Sequence, residues 1–166
     1  DGLIRAVIKY GNEKNIFMSA DSQVSSKIGN ILKFQGVNYI CPTEFEARVS
    51  LKNNHGNIRE LANQLVKETG CSSCILTLGS DGVFVFSNMK IGNSKATDTI
   101  PSLSNAPIDV AGAGDSFLIA STVALAAGED IWMAAYIGSL AAKAQVERFG
   151  NTPMSLDDFG ILNNVN

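Results

Sequence analysis

The chain has 166 residues, 45% of them hydrophobic, and a formal net charge of −3, which fits one globular domain with a core of its own. Thirteen Lys and Arg against sixteen Asp and Glu, with no basic stripe interleaved with aromatics, exclude nonspecific nucleic-acid binding. No run of 18 or more apolar residues suggests a membrane span.

The start Asp1-Gly2-Leu3-Ile4-Arg5 has neither Met nor the basic-then-apolar order of a signal peptide, and it reads as a piece cut from a longer protein. Residues 3–10 alternate at helical spacing, and Gly11-Asn12 is expected to end that helix. Residues 15–20 read as a short buried strand with Asp21-Ser22 just past its end. A weak helix or turn around 26–34 leads to a second strand over 37–41, which Pro42 stops. Thr43 then caps a helix, and Glu46 three residues later completes a capping box. His55 falls in the polar loop Lys52-Asn53-Asn54-His55-Gly56 and is expected to be solvated.

Residues 57–69 form an amphipathic helix with Ile58, Leu61, Leu65 and Val66 on one face, closed by Gly70. A strand over 74–78 follows, and Gly79-Ser80-Asp81-Gly82 turns the chain into Val83-Phe84-Val85-Phe86. Residues 88–108 are polar and weakly patterned, a loop with an extended piece. Two Ala-rich helices, 113–127 and 130–148, are split by Gly128-Glu129-Asp130. Ser155-Leu156-Asp157-Asp158 opens a last short helix, its acids complementing the helix dipole.

Strands alternating with helices, some continuously apolar, give an α/β layered fold with a mainly parallel sheet flanked by helices. Ligands of such sheets bind beyond the carboxyl ends of the strands. Asp21, Thr43 to Glu46, Gly79 to Gly82 and Gly112 to Asp115 are all expected there or at the following helix start.

The three cysteines, Cys41, Cys71 and Cys74, are an odd number of reduced-compartment character, which points to the cytoplasm. Cys71-Ser72-Ser73-Cys74 has zinc or redox spacing, but no second pair or His cluster completes a metal site. A redox pair opens a helix after a strand, whereas this one precedes the apolar run Ile75-Leu76-Thr77-Leu78. Small, partly buried thiols are expected.

The densest chemical information lies in Asp109-Val110-Ala111-Gly112-Ala113-Gly114-Asp115-Ser116-Phe117. A helix N-terminus carries unpaired N–H groups and partial positive charge, so it attracts anions. Small residues there let a phosphate come close. A carboxylate would ordinarily be repelled by that phosphate, so Asp115 suggests proton abstraction beside a transferring phosphoryl group. The competing explanation is plain structure: Asp115 complements a first helical turn and the glycines make a tight bend. Gly79 and Gly82 have a similar plain explanation as hairpin glycines.

The 109–117 run resembles the C-terminal signature of the PfkB/ribokinase carbohydrate kinases, D-T-x-G-A-G-D-x-F. Pro42-Thr43-Glu44-Phe45-Glu46-Ala47 resembles that family's P-N-x-x-E-A stretch, and Leu76-Thr77-Leu78-Gly79-Ser80-Asp81-Gly82 its nucleotide-pocket T-L-G-x-x-G stretch. Val146-Glu147-Arg148-Phe149-Gly150 resembles a segment near the end of the fold. Order and spacing agree from about residue 1 to 160. The resemblance implies a ribokinase-like fold of which residues 1–166 are the C-terminal portion, a single domain without the N-terminal sugar-binding and lid half.

Carried over by position, the resemblance implies Asp115 as the general base that takes the proton of a sugar hydroxyl attacking the γ-phosphate of ATP. It implies the backbone N–H groups of Gly112, Ala113 and Gly114 as an anion hole. Thr77, Gly79, Ser80 and Gly82 would line the nucleotide, with Ser139 near the adenine where related kinases often have Asn. Glu46 with Thr43 would act on Mg²⁺ through ordered water. Thr43 departs from the usual Asn and Val110 from the frequent Thr.

The runs Ala20-Asp21-Ser22-Gln23 and Pro42 to Arg48 are most similar to the heptose-kinase-like branch related to ADP-heptose synthesis. The implied activity is ATP-dependent phosphorylation of a hydroxyl on a sugar or sugar phosphate, with Mg²⁺ as cofactor. ATP and a small-molecule sugar are the implied partners, with no nucleic acid or membrane and a homo-oligomer left open. The alternative is a non-catalytic nucleotide-binding or regulatory domain, since this piece alone is expected to lack much of its sugar pocket. A nicotinamide-dependent Rossmann enzyme fails, because its Gly-rich turn belongs after the first strand.

Overall fold

Strands β1 (Ser19–Ala20), β2 (Tyr39–Ile40), β3 (Ser73–Thr77), β4 (Val83–Ile91) and β5 (Ser94–Ile100) stand in that order in one sheet. β1 pairs parallel with β2 and β2 parallel with β3, while β3 runs antiparallel to β4 from Thr77↔Val83 to Ser73↔Ser87. The α/β layered fold with a mostly parallel sheet is therefore present. The helices are α1 (Gly2–Glu13), α2 (Glu44–Leu51), α3 (Ile58–Thr69), α4 (Ala113–Ala126) and α5 (Ile131–Val146). The computed structural model describes residues 2–22, 29–91 and 94–150 together with Pro153, Ser155 and Asp158. They fall into two compact units, Asp1–Gly79 with Val83–Thr99, and Ser80–Gly82 with Ile100–Asn166.

In the first unit, α3 begins where the Asn57 side chain accepts from Glu60 N–H at 2.9 Å and ends on Gly70, whose φ of +73° suits glycine. Its apolar stripe of Leu61, Ala62, Leu65 and Val66 packs into one core with Ile40, Cys74, Leu76 and Phe86. Each such large side chain contributes about 1.5–3 kcal/mol by leaving water. The three thiols are free and buried in this unit. His55 is exposed, as its loop composition implies.

α1 does not stop at Gly11-Asn12. Gly11 is buried, and a Cβ there would collide with the Met18 sulfur, so packing keeps a glycine inside the helix. The chain leaves instead at Asn15, with φ +54°, as Ile16 N–H reaches back to Gly11 O at 2.9 Å. That left-handed cap removes residues 15–18 from the expected strand and leaves β1 only two residues long. Around the weak element expected at 26–34, a single 3₁₀ turn forms at Ile31–Lys33, while 26–28 lie outside the described residues.

The extended piece expected within 88–108 takes up its first part. β4 continues to Ile91 and β5 follows at once. In the second unit α4 and α5 form a hairpin close to the expected bounds. Asp130 starts α5 by accepting from Trp132 and Met133 N–H at 2.9 and 2.8 Å. Phe117, Ser121 and Ala124 of α4 are buried, as are Ala134, Ala135, Gly138 and Ala141 of α5. A Cβ on Gly138 would lie 2.9 Å from the Phe117 ring, so this glycine makes room for it. Of the expected last helix, Leu156 and Asp157 lie outside the described residues. Among the described residues no helix is long and apolar enough to cross a membrane.

Candidate active site

Parallel pairing brings the carboxyl ends of β1, β2 and β3 to one edge of the first unit. Asp21 follows β1, Pro42 and Thr43 follow β2, and Thr77 ends β3. Thr77 N–H donates to Pro42 O at 3.1 Å, and Thr43 and Thr77 form a parallel bridge. Residues implied for metal and for nucleotide are thus neighbours here. Asp21 Oδ1 accepts from Ser22 N–H at 2.7 Å, and the Ser22 hydroxyl is buried without a hydrogen-bond partner among the described residues. Burial pushes the Cys41 thiol far above its ordinary range; a hydrogen bond with Tyr39 opposes this, and the charges of Asp21 and Glu46 reinforce it. Both carboxylates therefore lie within electrostatic reach of one thiol.

The capping box is complete. Thr43 Oγ1 accepts from Glu46 N–H at 3.1 Å and donates to Glu46 Oε2 at 2.8 Å, and Thr43 N–H donates to the same oxygen at 2.8 Å. Threonine in place of asparagine is fully used here, because its hydroxyl both donates and accepts. Glu46 is buried, and its Oε1 carries no hydrogen bond among the described residues. Among those residues no group of three His, Cys, Asp or Glu could hold a metal. A hydrated Mg²⁺ held chiefly by phosphates needs only one or two carboxylates and keeps its waters, and the single unspent Glu46 oxygen fits that arrangement.

The Gly79-to-Gly82 segment forms a 3₁₀ turn, Gly79–Asp81, and its two glycines differ. A Cβ on Gly82 (φ +91°) would collide with the Ile100 carbonyl oxygen and approach Pro101 C and Ser102 N at 2.6 Å. Close packing alone demands that glycine. Gly79 (φ +62°) has nothing within 4 Å of the same position, and Ser80 beside it is exposed.

In the second unit, Val110 to Ala113 make a type II turn that feeds α4. Gly112 takes φ +77°, ψ +1°, and Ala113 N–H donates to Val110 O at 3.3 Å. The Ala113 N–H thus closes the turn. Ser116 N–H donates to Gly112 O at 2.9 Å. Among the described residues the N–H groups of Gly112, Gly114 and Asp115 have no partner, as expected of an uncapped first turn. Asp115 stands exposed in that turn. Asp109 shapes the approach: Oδ1 accepts from Ala111 N–H at 2.9 Å and Oδ2 from Gly150 N–H at 3.2 Å.

Ser139 is buried, and its hydroxyl donates to Ala135 O at 2.8 Å, which leaves it only acceptor capacity. Sequence reasoning missed Gln145. Buried near the end of α5, it donates to Ala111 O and to Gly150 O, each at 3.0 Å. A single amide side chain in an Ala-rich helix was its only signal.

A family model described as pfkB family carbohydrate kinase matches residues 3–158. The Bifunctional protein HldE of Campylobacter jejuni is 29% identical over 165 residues, covering 97% of this chain and 33% of that protein. Its namesake in Shewanella baltica is 30% identical over 135 residues, covering 80% and 27%. Among solved structures, ribokinase from Thermotoga maritima superposes with a TM-score of 0.69 at 25% identity, over 87% of this chain and 47% of that one. Escherichia coli phosphofructokinase-2 shares the fold with a TM-score of 0.78 at 18% identity, over 95% and 50%. The chain spans about a third of the length of these HldE relatives and about half of the solved chains. With the family model matched over residues 3–158, the chain belongs to the pfkB family of carbohydrate kinases.

Proposed function

We propose that the protein containing this chain transfers the γ-phosphoryl group of ATP to a hydroxyl of a sugar or sugar phosphate. One observation carries the proposal: the start of α4 presents N–H groups at Gly112, Gly114 and Asp115 that are unpaired among the described residues, together with the exposed Asp115 carboxylate. The Asp115 carboxylate accepts the hydroxyl proton as the sugar oxygen bonds to the γ-phosphorus. The bond from that phosphorus to the bridging oxygen breaks, and ADP leaves with the electron pair. A positioned base is worth on the order of 10²–10⁴-fold. One pre-aimed donor to the developing charge is worth on the order of 10²–10³-fold.

Mg²⁺, when bound, neutralises charge on the phosphates. Thr43 would hold Glu46 Oε2 so that Oε1 orders the metal's waters. Thr77, Gly79 and Ser80 would line the nucleotide, with Gly79 leaving open space, while Gly82 shapes the turn that carries them. Ser139 would offer the adenine only acceptor lone pairs. The HldE relatives, with the Ala20-to-Gln23 and Pro42-to-Arg48 runs, support a heptose-type acceptor. Both units would belong to the C-terminal portion of one ribokinase-like domain, with the sugar pocket completed by chain beyond it. Three free, buried thiols fit a cytoplasmic setting.

A second reading, a nucleotide-binding domain without catalysis, draws on Thr43 standing where the family has Asn. Calorimetry with ATP and Mg²⁺, run beside an ADP-release assay of the intact gene product against sugars and sugar phosphates, separates them. Acceptor-dependent ADP release supports the kinase. ATP binding without turnover on any acceptor supports the second reading, and no binding rejects both.

A further inference from the structure

We propose that Gln145 is a positioning residue that sets the direction of the Gly112 N–H. Its effect on catalysis rests on the kinase reading; its effect on the turn rests on geometry alone. The central peptide of the 110–113 turn joins Ala111 C=O to Gly112 N–H. In a trans peptide these two groups point in opposite directions within one plane. Type I and type II turns differ chiefly by flipping that peptide. Gln145 Nε2 donates to Ala111 O at 3.0 Å, which holds the carbonyl towards α5 and turns the Gly112 N–H away from it. Positive φ at Gly112 belongs to the same peptide orientation.

The amide is itself locked. Its second hydrogen goes to Gly150 O at 3.0 Å, and its Oε1 accepts from Arg148 Nη2 at 2.8 Å. Arg148 Nη1 in turn donates to Pro153 O and to Asp158 Oδ2, both at 3.3 Å. From the other side, Asp109 Oδ2 accepts from Gly150 N–H, while Ile108 and Asp109 N–H both donate to Val146 O, at 2.6 and 3.1 Å. Gln145 is 1% exposed, so its amide is held by these protein partners and not by bulk water. A buried side chain 34 residues downstream thus decides how the first donor before α4 is aimed.

The test uses the intact gene product with Gln145→Met, which keeps the volume, and Gln145→Glu, which keeps the acceptor for Arg148 but loses the donors. Amide exchange, read without ATP, should speed about tenfold at Ala111 and Ala113, whose N–H groups bond to Asp109 Oδ1 and Val110 O at the turn. Exchange over the buried α4 and α5 interior should be unchanged. Turnover should fall about tenfold or more, with the KM for ATP within roughly twofold. Unaltered exchange at 111–113, or exchange raised equally along both helices, overturns the positioning role. If Gln145→Met does not fold, Gln145→Glu is decisive by the same readouts. If the unsubstituted protein shows no phosphoryl transfer, the kinase reading fails, and exchange alone still decides the role of Gln145.

Discussion

Thr43 and Thr77, separated by a helix pair and a strand in sequence, sit side by side at the carboxyl edge of the sheet, where Thr77 N–H also donates to Pro42 O at 3.1 Å. The contact seats the α2 capping box directly against the end of β3. Thr43→Val removes a hydroxyl that both accepts and donates, so it should cost about 1 kcal/mol in urea unfolding. Thr43→Asn retains an N-cap acceptor and should stay within about 0.5 kcal/mol of the parent. A neutral Thr43→Val would remove the capping role.

Glu46 serves the cap through Oε2 and has Oε1 to spare. Gln at the same helix position still completes a capping box, so Glu46→Gln should leave stability nearly unchanged. If the carboxylate also orders metal waters, the Mg²⁺ concentration needed for half-maximal activity should rise several-fold. An unchanged Mg²⁺ titration confines Glu46 to the cap.

The parts of the fold that were legible in the sequence are those with local signals. α3 has an apolar stripe between Asn57 and Gly70, α5 starts on Asp130, and the Thr43–Glu46 box is written within four residues. The bounds of β5 were not legible within the extended piece expected over 88–108, because its polar run Ser94-Lys95-Ala96-Thr97-Asp98-Thr99 has no alternation of its own and needs β4 as a partner. The passage of α1 through Gly11 was equally hidden, since what calls for a glycine there is the Met18 side chain seven residues on. At the site, the motif located Asp115 and Gly112. It could not show that Ala113 N–H is spent on Val110, or that Gln145 holds Ala111, because those are three-dimensional facts.

The two glycines of the 79–82 turn should respond differently to alanine. At Gly82 a Cβ meets backbone of the 100–102 segment, and the left-handed φ adds strain, so about 2–5 kcal/mol should be lost. That is a large share of a typical domain's stability. Gly79→Ala faces only the φ penalty of about 1–2 kcal/mol and should fold. A folded Gly79→Ala protein with weakened ATP binding by calorimetry would support a nucleotide-lining Gly79; unchanged binding would leave it a turn residue.

The thiols give a pH signature. Burial raises Cys74 well above the ordinary 9.0, and the neighbouring Cys71 and Cys41 push the same way. Above about pH 9 the unfolded chain gives up this proton while the native state keeps it. The unfolded state then binds fewer protons, so stability falls as pH rises past 9; below that the contribution is constant. Urea midpoints at pH 7.5, 9 and 10 should show the decline, and Cys74→Ala should lessen it, with Cys41 and Cys71 supplying the rest. The native thiols should resist an aromatic disulfide reagent at neutral pH until urea is added. Rapid labelling of the native protein would contradict their burial.

Asp115 offers the most direct trial of the proposed chemistry. Asp115→Asn keeps the side chain's size but removes its charge and its ability to take a proton. Helix stability should suffer little, because a carboxylate in the first turn is worth roughly 0.3–1 kcal/mol. ATP affinity should hold or rise, since a negative charge is removed from beside the phosphates. Turnover of the intact gene product should nevertheless fall by on the order of 10²–10⁴. Parallel loss of ATP binding and stability would mean that Asp115 shapes the turn. Turnover retained within about tenfold would mean that another group takes the proton, and the first turn of α4 would keep only its anion-binding role.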